Sequence, residues 1–291
     1  MSWRIVVIAG IAKLDYQLGS LVIRKETIKK IHLSEISVLI VESTAVSMTA
    51  ALLCELVKQK IKVVFCDEKR NPLSELIPYY GCHDSSRKLR KQLRWETSAK
   101  ENVWTEIVKE KISAQANLLQ NIGKREQSLR LKEYIHQLKP GDETNREGHA
   151  AKVYFNALFG NNFTRESPCT ENAALNYGYS ILLSAFNREI AACGYLTQLG
   201  IFHDNIFNHF NLASDLMEPF RPLVDAKVFY SGWKVFSNQE KMELVALLNM
   251  EVTIGGRREF LNNAIGIYCR SVFDALEEND PSLLVCYRNE L

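Results

Sequence analysis

The stretch GIFHDNIFNHFNLASDLMEPFRP, residues 200–222, holds two histidines, three acidic residues and two prolines. Asp215 and Glu218 stand three positions apart, so on a helix their carboxylates share a face. His203 precedes them by 12 and 15 positions across a connecting loop. Magnesium and manganese take oxygen ligands and manganese also accepts imidazole, so the stretch supplies both ligand types of a phosphoryl-transfer metal site. The same residues have an equally good structural use. Ser214 or Asp215 can cap a helix that begins there, and an acidic first turn complements its dipole. Pro219 falls in the first turn, where a missing N–H costs little, whereas Pro222 lies deeper and is expected to distort the helix. His209 would complete an H-x5-H pair, but without a third nearby histidine or cysteine it reads as structural.

A further carboxylate, Glu147, lies in GDETNREGHAAKVYFNALFG, residues 141–160. Thr144-x-x-Glu147 fits a capping box, and on spacing alone the cap is favoured. Ala150 and Ala151 give Glu147 a small face that can pack under a metal and a phosphate. His149 points away from it. A different chemistry is offered by RKLRKQLRWETSAK, residues 87–100, with six basic residues against one acidic. Arg87, Arg90, Lys91 and Arg94 fall on one helical face, a candidate surface for DNA phosphates, although a solvated basic face is the ordinary reading.

These residues need elements to position them. From Trp3 to about Asp67 the segments WRIVVI, AKLDYQ, SLVIRK, EISVLIVE and IKVVFCD read as strands. They are interrupted by one helix over 44–60 with Ser43 as its cap. The Pro- and Gly-bearing segment 71–86 marks a boundary. Beyond it, helices are expected over about 86–120, 124–138, 145–158, 171–193, 215–230, 238–250 and 257–278. In the helix from Glu171, Thr170 is expected to cap and Gly194 to follow the last turn; Gly178 inside it points to a close approach by another backbone or, equally, to a simple packing accommodation. The expected fold class is α+β: a small sandwich-like β domain with one helix, residues 1–80, then a larger all-α domain, residues 87–291.

Composition excludes other classes. Thirty-six basic and 34 acidic side chains leave a net charge of +2, so any basic surface is local. Seven cysteines contain no C-x-x-C pair, which suits free thiols in a reducing cytosol. Lys13 and Asp15 interrupt the first apolar run too early for a signal sequence, and no run reaches the ~18–20 apolar residues of a membrane span. No G-x-G-x-x-G or G-x-x-x-x-G-K-[ST] phosphate loop is present.

Three blocks, NREGHAAKVYF at 145–155, NAALNYGYSILLSAFNREIAACG at 172–194 and the stretch at 200–222, resemble the CRISPR-associated spacer-acquisition integrase, the larger of the two adaptation proteins. The NYGY and FNLASDLMEPFRP forms are most similar to the type II subgroup. The resemblance implies a metal-dependent DNA integrase and endonuclease, with Mg2+ or Mn2+ held by Glu147, His203 and Glu218 and with Asp215 accessory. It also implies a homodimer formed through the β domain, a small partner adaptation protein, DNA as substrate, type II neighbours that include the effector nuclease, and a cytosolic setting. Competing readings are a stand-alone structure-selective nuclease, a mobile-element integrase, and a noncatalytic DNA-binding scaffold that uses the Arg87–Arg94 face.

Overall fold

The computed structural model describes residues 4–78 and 82–288. The chain divides into two compact units, Met1–Gly81 and Cys82–Leu291.

The first unit contains β1 (Arg4–Ile8), β2 (Ala12–Gln17), β3 (Ser20–Arg24), β4 (Ile28–His32), β5 (Ile36–Val41), β6 (Val46–Met48), α1 (Ala50–Lys58), β7 (Lys62–Cys66) and β8 (Pro72–Glu75). They form two four-stranded sheets, ordered β1-β5-β7-β8 and β4-β3-β2-β6. Ile8, Leu14, Leu21, Leu39, Leu52 and Leu56 belong to one shared apolar core. The helix expected over 44–60 starts later. Val46–Met48 pairs in parallel with β2, and Thr49, not Ser43, caps the helix by accepting from the Leu52 amide at 3.3 Å. Strand β4, IKKIH, is not among the expected strands because its two lysines dilute the β pattern. Trp3, the expected start of the first strand, lies outside the described residues.

The second unit is mostly helical: α2 (Ser85–Gln92), α3 (Thr97–Asn121), α4 (Arg125–His136), α5 (Arg146–Phe159), α6 (Thr170–Ala192), α7 (Asn211–Leu216), α8 (Arg221–Ser231), α9 (Asn238–Val245) and α10 (Leu261–Glu278). The fold class is α+β. The second unit also holds a small sheet, β9 (Glu251–Ile254), β10 (Arg257–Phe260) and β11 (Tyr287–Arg288), in the order β10-β9-β11. The helix expected from Arg257 therefore starts at Leu261. Gly255 and Gly256, with φ of 56° and 74°, close a two-residue hairpin whose Gly-Gly signal is legible in the sequence.

The single helix expected over 86–120 is two. Gln92 Nε2 donates to the Leu196 and Leu199 carbonyls at 2.8 and 3.1 Å, and Trp95 packs 5.5 Å from the Tyr195 ring. These contacts turn the chain between α2 and α3. In α6 the cap position is Cys169, not Thr170, and Gly194 takes the expected positive φ of 86°. A side chain at Gly178 would collide with the Val224 methyls of α8, so the close approach is by a side chain.

Helix α3 is the axis of this unit, packing against α4, α5, α8 and α10. It buries Val103, Trp104, Ile107, Val108, Ile112 and Leu119. Lys111 lies in the same buried run.

Candidate active site

Lys111 organises the site. Its ammonium, on a side chain only 8% exposed, pairs with Glu147 Oε1 and sits 2.5 Å from Glu218 Oε2. Burial alone pulls the Lys111 ammonium down, but Glu218 and Glu147 outweigh it, so the group is held above its ordinary value and stays charged.

Glu147 is free to make this pair because other residues cap α5, contrary to the capping-box expectation. Asp142 accepts from the Arg146 and Glu147 amides at 2.8 and 2.9 Å. Asn145, left-handed at φ 51°, accepts from the Gly148 amide at 3.2 Å. A Cβ at Gly148 would lie 2.7 Å from that Asn145 oxygen, so only glycine fits beneath the cap.

Glu218 follows α7 and opens a short 3-10 turn, Glu218–Phe220, that leads into α8. Pro219 is the second residue of that turn and Pro222 falls in the first turn of α8, so Pro222 starts a helix and does not distort one. Glu218 Oε1 meets Arg221 Nη2 at 3.0 Å, and the Tyr287 hydroxyl donates to the Pro219 carbonyl at 3.0 Å. Burial would raise the Glu218 carboxyl, but Lys111 and Arg221 hold it below its ordinary value, as an anion.

Asp215 does not begin a helix; it is the fifth residue of α7, 0% exposed, with its carboxylate turned toward the preceding loop. It accepts from the amides of Ile201, Phe202 and His203 at 2.6, 3.1 and 3.1 Å, and bonds His203 Nδ1 at 2.5 Å. Such a carboxylate fixes the imidazole with Nδ1–H as donor and leaves Nε2 as the open nitrogen. A side chain at Gly200 would fall 2.8 Å from Asp215 Oδ2, so the loop needs glycine there. The Asp215 bond raises the His203 imidazole above its ordinary value, outweighing burial, and Glu218 adds to the shift. Trp104 stacks on Phe202 at 4.5 Å and meets the His203 ring edge-on at 5.9 Å. Trp104 and Lys111 are two helical turns apart, so one face of α3 serves both carboxylates and the imidazole.

Behind the site, Asp225 accepts from the Tyr154 hydroxyl at 2.9 Å and from the Tyr179 hydroxyl. Burial pushes its carboxyl up from 3.8 to about 6 despite both hydroxyls, a difference worth about 3 kcal/mol. A carboxyl raised in the folded state favours folding most below its unfolded value, so this stability is present below pH 3.8 and lost as pH rises through about 6. The unfolding free energy of the wild type minus that of Asp225→Asn is therefore expected to fall by about 3 kcal/mol from pH ~4 to pH ~7. A flat or rising difference in urea titrations would refute this account.

The sequence-predicted residues thus divide. Glu147 and Glu218 share one cation, and His203 joins them electrostatically through Glu218 while Asp215 orients it. His209 is outside this arrangement; its carbonyl accepts from Thr197 Oγ1 at 2.8 Å. Arg87, Arg90 and Lys91 lie on α2 and Arg94 just beyond its end. Arg87 pairs with Asp84 at 3.3 Å and Lys91 with Glu277. Lys111, Trp104, Arg221 and Asp142 are site residues that sequence reasoning misses. A lysine within the apolar run of α3 is the available signal for Lys111.

The model of the family described as CRISPR associated protein Cas1 matches residues 5–262. The chain belongs to the Cas1 family. A CRISPR-associated endonuclease Cas1 of Neisseria meningitidis serogroup C (strain 8013) is 37% identical over 231 residues, 79% of this chain and 76% of that protein. Two solved structures share the Cas1 fold. One, a casposase bound to integration product, aligns at TM-score 0.74 and 18% identity over 96% of this chain and 91% of its own. The other belongs to a Cas6-RT-Cas1--Cas2 complex, at TM-score 0.72 and 19% identity over 97% of this chain, which spans 36% of that longer one.

Proposed function

We propose that this chain is a metal-dependent DNA endonuclease and integrase that inserts spacer DNA into a CRISPR array. The observation that carries the reading is a buried cation-shaped position between Glu147 and Glu218, marked by the Lys111 ammonium, beside an imidazole with Nε2 open. Glu218 Oε2 is buried against the Lys111 ammonium at 2.5 Å. Two carboxylates and one imidazole fit Mg2+ or Mn2+. Such an ion, when bound, would lower the pKa of the attacking hydroxyl and neutralise charge growing on the phosphate oxygens. Glu147, His203 and Glu218 are its ligands in this reading. Asp215 keeps the imidazole oriented, Arg221 holds the Glu218 carboxylate in place, and Trp104 buttresses one side of the imidazole ring.

The reaction is attack by a DNA 3′-hydroxyl on a repeat phosphodiester, with water replacing the hydroxyl in hydrolysis. Two insertions per spacer require two sites at a fixed separation. That supports a homodimer through residues 1–80 and a small partner of the Cas2 kind, the component named beside Cas1 in the Cas6-RT-Cas1--Cas2 complex. Further partners in this reading are the other type II adaptation proteins and the effector nuclease, in the prokaryotic cytosol. The Arg87, Arg90, Lys91 and Arg94 face is a DNA contact. Among the described residues no helix is long and apolar enough to cross a membrane.

The test is an integration assay with the small partner, a short duplex and a repeat-containing target in Mn2+ or Mg2+, with the Mn2+-induced rise in melting temperature measured alongside. Glu147→Gln is expected to lose both joining and the Mn2+ effect. Retention of both overturns the metal assignment. Asp215→Asn is expected to lower joining roughly 10–100-fold, as loss of a ligand-orienting carboxylate does. Unchanged joining would show that His203 needs no such orientation.

A further inference from the structure

We infer that Arg130, Tyr134, Arg146 and His149 form a phosphate-binding subsite that holds the DNA backbone beside Glu147. The inference rests on the nuclease reading above.

The cluster is assembled around one ring. The Arg146 guanidinium lies 5.5 Å and that of Arg130 5.8 Å from the Tyr134 ring centre. Arg130 Nε also donates to the Tyr134 hydroxyl at 2.9 Å. The His149 ring stands 6.3 Å from the same ring. Tyr134 and Arg130 come from α4, and Arg146 and His149 from the first turns of α5, on either side of Glu147 in the chain.

Two guanidiniums share one aromatic ring with no counter-charge among the described residues. Glu126 precedes Arg130 by four residues, the usual spacing of a helical ion pair. Yet among the described residues neither Arg130 nor Arg146 has a carboxylate within ion-pair distance. Arg146 Nε is buried without a hydrogen-bond partner.

Two guanidiniums set against one ring without a carboxylate suit an anion supplied from outside, which would meet their terminal nitrogens, since Arg146 Nε is itself buried. Guanidinium forks match phosphate oxygens in two-point contacts, and stacking on Tyr134 holds the forks fixed in advance. The backbone amides of this turn are already used by Asp142 and Asn145, so the side chains alone would grip the ligand. Arg146 and Glu147 share the first turn of α5, but adjacent helix positions point about 100° apart, so a phosphate held here lies to one side of the Glu147 carboxylate, on the neighbouring face of the helix.

The experiment measures binding of a fluorescein-labelled duplex with single-stranded 3′ ends to full-length protein across a salt series, without divalent metal. Arg130→Gln/Arg146→Gln is expected to weaken binding at least about tenfold. It is also expected to flatten the slope of log K against log salt by roughly 1.4–1.8, as loss of two phosphate contacts does. Arg130→Lys/Arg146→Lys should recover most of the slope, and Tyr134→Leu should weaken binding with the charges intact. Unchanged affinity and slope in the Gln double variant, with a wild-type melting temperature, overturns the subsite. If that variant melts early, the Lys double variant and Tyr134→Leu decide in its place: wild-type affinity in both overturns the subsite as well. The nuclease reading fails separately, when Glu147→Gln still joins DNA.

Discussion

His203→Ala is expected to lower DNA cleavage and strand joining by roughly 10²–10⁴-fold, the range for removing a positioned catalytic imidazole, while the protein stays folded. The structure explains why the two effects separate here. The side chain is 40% exposed, and its imidazole is held by Asp215. Its loss leaves Asp215 still accepting three backbone amides, so the turn over 201–203 keeps its anchor. Kinetics and thermal melting on one preparation check both halves. Near-normal joining would remove His203 from the site, and a collapse in melting temperature would make the imidazole a structural group.

Glu218→Ala is expected to lose activity and stability together. Glu218 is 5% exposed and pairs with Lys111 and Arg221, both themselves poorly exposed. Removing Glu218 takes the paired carboxylate from Arg221 and leaves Lys111 with Glu147 alone, and breaking such a buried pair costs about 3–5 kcal/mol. For a unit of this size that is a fall in melting temperature on the order of 10 °C. Lys111→Met/Glu218→Ala removes a stranded charge and is expected to recover much of the loss with no return of activity. Glu147→Gln should cost less, because the Glu147 side chain is 31% exposed. Equal melting of wild type and Glu218→Ala would refute the buried-pair account.

Sequence and structure agree best where periodicity is strong. The Val- and Ile-rich strands and the apolar stripe of α6 are legible because burial on one face repeats at a fixed period. The failures have physical causes. The Thr144-x-x-Glu147 spacing imitates a capping box, but a left-handed Asn145 and the Asp142 carboxylate take over the cap. Pro222 looks like an interruption because the break between α7 and α8 depends on how Glu218 is held by α3, a contact far away in sequence. The break between α2 and α3 has no sequence mark, since Gln92 and Trp95 find their partners near residue 196. Lys111 is hard to single out because α3 also carries Lys100 and Lys109 and a helical lysine ordinarily reaches solvent; its place in the apolar run is the one mark it has.

The Asp215 carboxylate has an implication for how such a site can change over time. It fastens residues 201–203 from one side, while Thr197 holds the chain at His209 and Leu212 from the other. Between these two moorings lie Ile206 and Phe207, each 85% exposed. Asn205 and Asn208 are tied to Asn211 and Ser214 of α7, so the tip at Ile206 and Phe207 is the part that can be exchanged, or lengthened at a closure entropy of about 0.6 kcal/mol per doubling, with the imidazole left in register. Changes at Ile206 and Phe207 can therefore accumulate without moving the imidazole.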